Sequence, residues 1–146
     1  MNSPRASQAP DTGIVYSAPL KLATAQTKCS NCQSTTPVFA IIAASEEEFD
    51  EGESYGRSKT PVYVTGVPQN DMPEEVSKAL AELAPNFCPV YTKALDETNW
   101  ANECVECGTL QSTFALHSGA EGAFLGKPSQ FRGPISNLPD VDIVVR

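Results

Sequence analysis

Cys29-Ser30-Asn31-Cys32 and Cys104-Val105-Glu106-Cys107 are the two stretches whose reading decides the fold. In each, a two-residue spacer gives a tight turn the room to aim two sulfurs at one point. Two such turns supply four thiolates, the number that fills a tetrahedral zinc shell. The spacing predicts one structural Zn²⁺ per chain, held by Cys29, Cys32, Cys104 and Cys107. Gly108 follows the second pair and is free to take φ > 0, which turns backbone N–H groups toward sulfur. Gln33 stands at the matching place in the first pair, so that turn is expected to be less regular.

The pairs are 71 residues apart, with 33–103 between them. Closing a loop of roughly 70 residues costs about 4 kcal/mol. Structural zinc binding contributes on the order of 10 kcal/mol or more. The metal therefore outweighs the loop, and loss of one cysteine is expected to unfold the domain. The implied fold class is α+β: mainly antiparallel β, with a zinc-ribbon-like four-cysteine site and one inserted amphipathic helix.

Outward from the cysteines the pattern is of short strands. Residues 1–13 are small and polar and read as a disordered leader, which leaves 14–146 as a single zinc-stapled domain. Ile14–Tyr16 and Leu20–Thr27 read as strands. Thr36–Ala44 (TPVFAIIAA) is the most apolar run and reads as a buried strand, with a short helix as the competing reading. Thr60–Val67 is a strand with a kink at Gly66. A helix is expected over about 72–84: Asp71 caps it, Glu74 completes a capping box, and Val76, Ala79, Leu80 and Leu83 make one apolar stripe. Phe87–Leu95, Trp100–Glu103, Leu110–His117 and Val141–Val145 read as further strands, and Ser118–Pro139 as loop.

The formal net charge is −8, and the 10 basic residues are scattered, with no more than two in any window of five. Nucleic-acid binding needs clustered Lys and Arg, so this class is disfavoured despite the ribbon-like cysteines. The 45–54 segment (SEEEFDEGES) carries Glu46, Glu47, Glu48, Asp50, Glu51 and Glu53, six acids in ten residues. Packed like charges predict an acidic loop or solvated edge. Functionally, the run would face a basic protein partner, as in an immunity protein or adaptor. No apolar run of about 18 residues is present to span a membrane. Met1–Thr12 lacks the apolar centre of an export signal, so a cytoplasmic setting is expected, where cysteine pairs serve metal or redox roles rather than disulfides.

Two alternatives are a thiol–disulfide protein using one Cys-x-x-Cys pair and a nucleic-acid-binding ribbon. A redox pair belongs at a helix N-terminus. Pro37 interrupts any helix after Cys32, and strand formers follow Cys107. Cys88 sits among apolar residues and reads as a small buried side chain, with a reserve zinc ligand or a reactive thiol as the sharper options. His117, the sole histidine, reads as a plain core or surface residue, with a hydrogen bond toward the metal site as the sharper option. Trp100 and Tyr91 are expected to pack over the metal site, with a recognition surface as the functional alternative. Four thiolates close a coordination sphere, and no acid–base constellation stands beside them, so an enzyme is not expected.

Thr98–Phe124 is similar to a group of small bacterial proteins with two Cys-x-x-Cys pairs. The shared positions are Asn102, Cys104, Cys107, Gly108, Gln111, Phe114, Leu116, His117, Gly122 and Phe124. The first pair also precedes Thr36, Pro37 and Val38, as in that group. Ser112, Thr113, Ala115 and Gly126 depart from the pattern. The resemblance implies the zinc site and a bacterial cytosolic setting, and it brings no activity with it.

Overall fold

A computed structural model describes residues 12–50 and 53–146. The disordered-leader reading of 1–13 falls outside them, apart from Thr12 and Gly13, which already open the first strand. The strands are β1 (Thr12–Ser17), β2 (Lys21–Lys28), β3 (Thr35–Ala43), β4 (Ser45–Asp50), β5 (Glu53–Ser58), β6 (Val62–Val64), β7 (Phe87–Thr92), β8 (Glu97–Glu103), β9 (Leu110–Gln111), β10 (Ile135–Asn137) and β11 (Ile143–Val145). The α-helices are α1 (Glu74–Leu83) and α2 (Thr113–Ser118). The strands form three antiparallel sheets in the orders β11-β1-β4-β5, β10-β2-β3-β6 and β7-β8-β9.

The continuous apolar run in β3 has a direct cause. Side chains alternate across a strand, and here both faces are covered. Phe39, Ile41 and Ala43 enter the main core with Leu22, Val76, Leu80, Trp100 and Ile143. Val38, Ala40 and Ile42 enter a second core with Ala23, Leu116 and Phe124. Helix α1 closes the main core with Val76 and Leu80, both fully buried, while Leu83 at the end of the stripe is exposed.

The third sheet hangs on the second through side-chain amides. Strand β6 pairs with β3 only at Ile41–Ala43. Further along β3 the Asn102 carboxamide takes the neighbour's place. Its Oδ1 accepts from Phe39 N at 2.8 Å, and its Nδ2 donates to Phe39 O at 2.9 Å. Asn86 Nδ2 donates to Pro37 O at 2.8 Å and to Glu103 O at 2.9 Å. Val105 N donates to the buried Thr36 hydroxyl at 3.1 Å.

Four expectations are corrected. Over Ser45–Asp50 the acidic segment is not a loop or an edge: β4 is an inner strand, paired with β1 on one side and on the other with β5, the edge strand that Glu53 opens. Its backbone is satisfied on both sides whatever the side chains, and alternation divides the acids between the two faces. Leu110–His117 is not one strand, because the Ser112 hydroxyl accepts from Ala115 N at 3.1 Å and starts α2. Asp71 does not cap α1. The residue before a proline is pushed to extended backbone, Met72 has ψ 125, and so the helix begins only after Pro73. Asp71 instead accepts from Arg146 N at 3.3 Å. Trp100 and Tyr91 do not cover the cysteines: Trp100 lies in the main core against Phe87, with ring centroids 5.9 Å apart, and Tyr91 is exposed with its hydroxyl on Asp96.

Candidate metal centre

Each Cys-x-x-Cys pair occupies the turn of a hairpin. The β2–β3 ladder closes at Lys28↔Thr35, and the β8–β9 ladder at Glu103↔Leu110. Between these ends the chain makes the same knuckle twice. In the first, Cys29 N donates to Ser34 O at 2.8 Å, Gln33 N to Cys29 O at 2.9 Å, and Asn31 N to Cys29 Sγ at 3.4 Å. In the second, Cys104 N donates to Thr109 O at 2.9 Å, Gly108 N to Cys104 O at 2.9 Å, and Glu106 N to Cys104 Sγ at 3.4 Å. Gly108 has φ 77 and Gln33 has φ 67. The expected irregularity at Gln33 is absent, since a glutamine takes up the left-handed backbone that glycine favours.

The two knuckles face each other. The Sγ atoms of Cys29, Cys32, Cys104 and Cys107 all lie within 4.8 Å of one another, positioned to hold a metal ion. Contacts run across the pairs: Cys29 to Cys107 and Cys32 to Cys104 are each 3.7 Å. That is far beyond a disulfide bond of about 2.05 Å, and all five cysteines are free. Cys29 and Cys104 are buried, whereas Cys32 and Cys107 are exposed.

Hydrogen bonds converge on the sulfurs from residues other than the ligands. Gln111 Nε2 reaches Cys29 Sγ at 3.5 Å and is itself fixed on Thr109 O at 2.8 Å. Asn31 Nδ2 crosses to Cys107 Sγ at 3.5 Å, and the Thr109 hydroxyl lies 3.1 Å from the same sulfur. Donors to sulfur favour thiolate over thiol. The Thr109 hydroxyl, then the Asn31 amide, hold Cys107 down to about 6. The Cys32 amide leads in lowering Cys29. At Cys104 the Cys107 amide favours the thiolate, but burial and the neighbouring sulfurs of Cys32 and Cys29 outweigh it and push the thiol up.

Cys88 and His117 stand apart from the cluster. The Cys88 thiol donates to Glu103 Oε1 at 3.5 Å, and burial, then the Glu103 carboxylate, push it up. His117 lies on α2, packed edge-on to Tyr63 at 5.0 Å and against Phe124 at 5.3 Å. The amide beside the sulfurs belongs to Gln111, which the family resemblance had marked without assigning it a role, as it had Asn102.

Of the acidic residues, Glu46, Glu48 and Asp50 fall opposite Tyr16, Ile14 and Thr12 in the β1–β4 register, and Glu47 falls opposite Val15. Glu53 opens β5, and Glu51 lies outside the described residues. No helix among the described residues is long and apolar enough to cross a membrane. No family model, curated protein or solved structure matches the chain.

Proposed function

We propose that this is a non-enzymatic zinc protein whose four-cysteine site is a structural staple of the zinc-ribbon kind, inside a module that binds a basic protein partner. The clustering of four Sγ atoms within 4.8 Å carries the metal half of this reading. A ZnS₄ tetrahedron with Zn–S near 2.3 Å has S···S edges of about 3.8 Å. The two cross-knuckle separations of 3.7 Å match that edge. Tetrahedral sulfur sites suit zinc or iron–sulfur chemistry. When bound, zinc would neutralise four converging thiolates and tie the two hairpins together. With every position filled by sulfur, it would have no place for water or substrate.

Native mass spectrometry of protein purified without chelator tests the staple. One zinc per chain and a colourless sample are expected. Iron with visible absorption, or a metal-free dithiol–disulfide couple, would replace this reading with an electron-transfer or thiol-exchange protein.

The partner half rests on charge. Glu46, Glu48 and Asp50 share one face of a paired strand, with Glu47 on the other, and the strand fixes their spacing better than a loop would, in a chain of net charge −8. Such an array attracts a basic surface and speeds its encounter. Replacing these four with Gln or Asn should abolish capture of the partner at low salt, and raised salt should do the same to the unaltered protein. Capture that ignores both changes would sink the electrostatic interface.

A further inference from the structure

Away from the cysteines, a cleft of about 510 Å³ opens between α1, the 3₁₀ turn Gln69–Asp71 and strands β7 and β8. This size falls within the range of small-molecule sites, roughly 300–1,000 Å³. Its apolar side is Pro89 with the small uncovered parts of the Trp100 indole and the Phe87 ring, each 8% exposed. Beside the Cys88 thiol, which is held on Glu103, its polar groups are the carboxamides of Gln69 and Asn70 and the Ser77 hydroxyl. None of these three side chains is engaged in a hydrogen bond among the described residues, so all are free to meet a ligand.

The frame is rigid. Trp100 N donates to Val67 O at 2.9 Å, and Pro68 bridges to Asn99, which fixes the 3₁₀ turn against β8. Val76 and Leu80 anchor the neighbouring helix face in the core, leaving Ser77 and Ala81 to border the opening. A site held this way loses little freedom on binding.

Charge narrows the ligand. No Asp, Glu, Lys, Arg or His lines the cleft. A phosphate, carboxylate or ammonium would lose hydration there without finding a counter-charge, and an anion would also approach against the chain's net −8. Aromatic rims and carboxamides suit a flat molecule that packs against the uncovered parts of the two rings and exchanges neutral hydrogen bonds at its edge.

We infer that this cleft is a binding site for an uncharged, flat heteroaromatic small molecule, independent of the metal centre.

The molecule carries its own probe, because Trp100 is the only tryptophan and its indole N–H gives a single resonance. The full chain would be titrated with adenine, benzimidazole and nicotinamide, with nicotinate as the charged counterpart of the last. At least one neutral ring should move the indole resonance saturably with Kd below about 1 mM, and nicotinate should bind at least about tenfold more weakly than nicotinamide. Ala81→Phe, at an exposed helix position, should fill the cleft and abolish saturation while leaving the thermal midpoint unchanged. The double variant Gln69→Ala/Asn70→Ala, also at exposed positions, should weaken binding about tenfold by removing neutral hydrogen bonds. The inference is overturned if no neutral ring saturates by about 5 mM, if nicotinate equals nicotinamide, or if saturation survives Ala81→Phe.

Discussion

At Gln33 the cost of a left-handed backbone is carried that Gly108 avoids. Both residues close a knuckle with positive φ, 67 and 77. A non-glycine residue in that region costs roughly 1–2 kcal/mol, and glycine returns about 0.4–1 kcal/mol of this through the freedom it adds to the unfolded chain. Gln33→Gly should therefore stabilise the protein by about 0.5–1 kcal/mol, even though it forfeits the 3.3 Å contact from Gln33 Nε2 to Ser30 O. Gly108→Ala should destabilise it by about 1 kcal/mol. Urea unfolding of both variants, metal-loaded, reads the pair, and equal signs would show that the two turns are not equivalent. His117 gives a second test at this scale. Burial pushes its imidazole down, so the unfolded chain binds the proton more readily. Stability from this residue is complete above the ordinary histidine value of about 6.5 and is lost as pH falls through the lowered one. His117→Phe should flatten the stability loss just below about pH 6.5, and an unchanged slope in that variant would assign the acid sensitivity to other groups. Of these details the sequence showed Gly108 directly, because glycine after Cys-x-x-Cys has one conformational meaning. Gln33 hid the same backbone, since its side chain disfavours the shape that the knuckle imposes.

Among the elements, those with a single physical cause were legible. Strand β3 read as buried because it is apolar on both faces, and α1 read as a helix because Val76 and Leu80 share one stripe. The misread elements each had a competing cause. In β4 the charges suggested a loop, yet ladder bonds on both sides depend on the backbone alone. After Gln111 the residue types favour a strand, but the Ser112 cap redirects the chain. The joint between sheets was not legible at all, because an asparagine gives no periodic signal. That joint bears the prediction proper to this scale. Asn102 is 5% exposed and satisfies both polar groups of Phe39. Asn102→Ala leaves a buried N–H and a buried C=O unpaired, each costing about 1–3 kcal/mol, so a loss of about 2–4 kcal/mol in urea unfolding is expected. A loss below about 0.5 kcal/mol would mean that the joint is held without Asn102, by the Asn86 and Thr36 bonds and by apolar packing.

For the whole molecule the question is whether the proposed zinc is needed once the core has formed. The main core gathers sixteen buried residues, none of them cysteine, and the amides of Asn86 and Asn102 join the hairpins without the metal. A domain of this size has a net stability of about 5–15 kcal/mol. If zinc in solution exceeds its Kd about a millionfold, binding adds about 8 kcal/mol through mass action, which is of the same order as that whole margin. Chelation should therefore lower the thermal midpoint by about 20 °C or more, at roughly 2–4 °C per kcal/mol. Cys104→Ser should produce a similar drop, and a chelator should add little to it, because both act on one interaction. The buried position of Cys104 makes this variant the stricter test: its hydroxyl replaces a sulfur on which Glu106 N already converges. A midpoint that falls by less than about 5 °C on complete zinc removal would show that the amide joints and the core suffice, and that the four cysteines hold a dispensable ion rather than a staple.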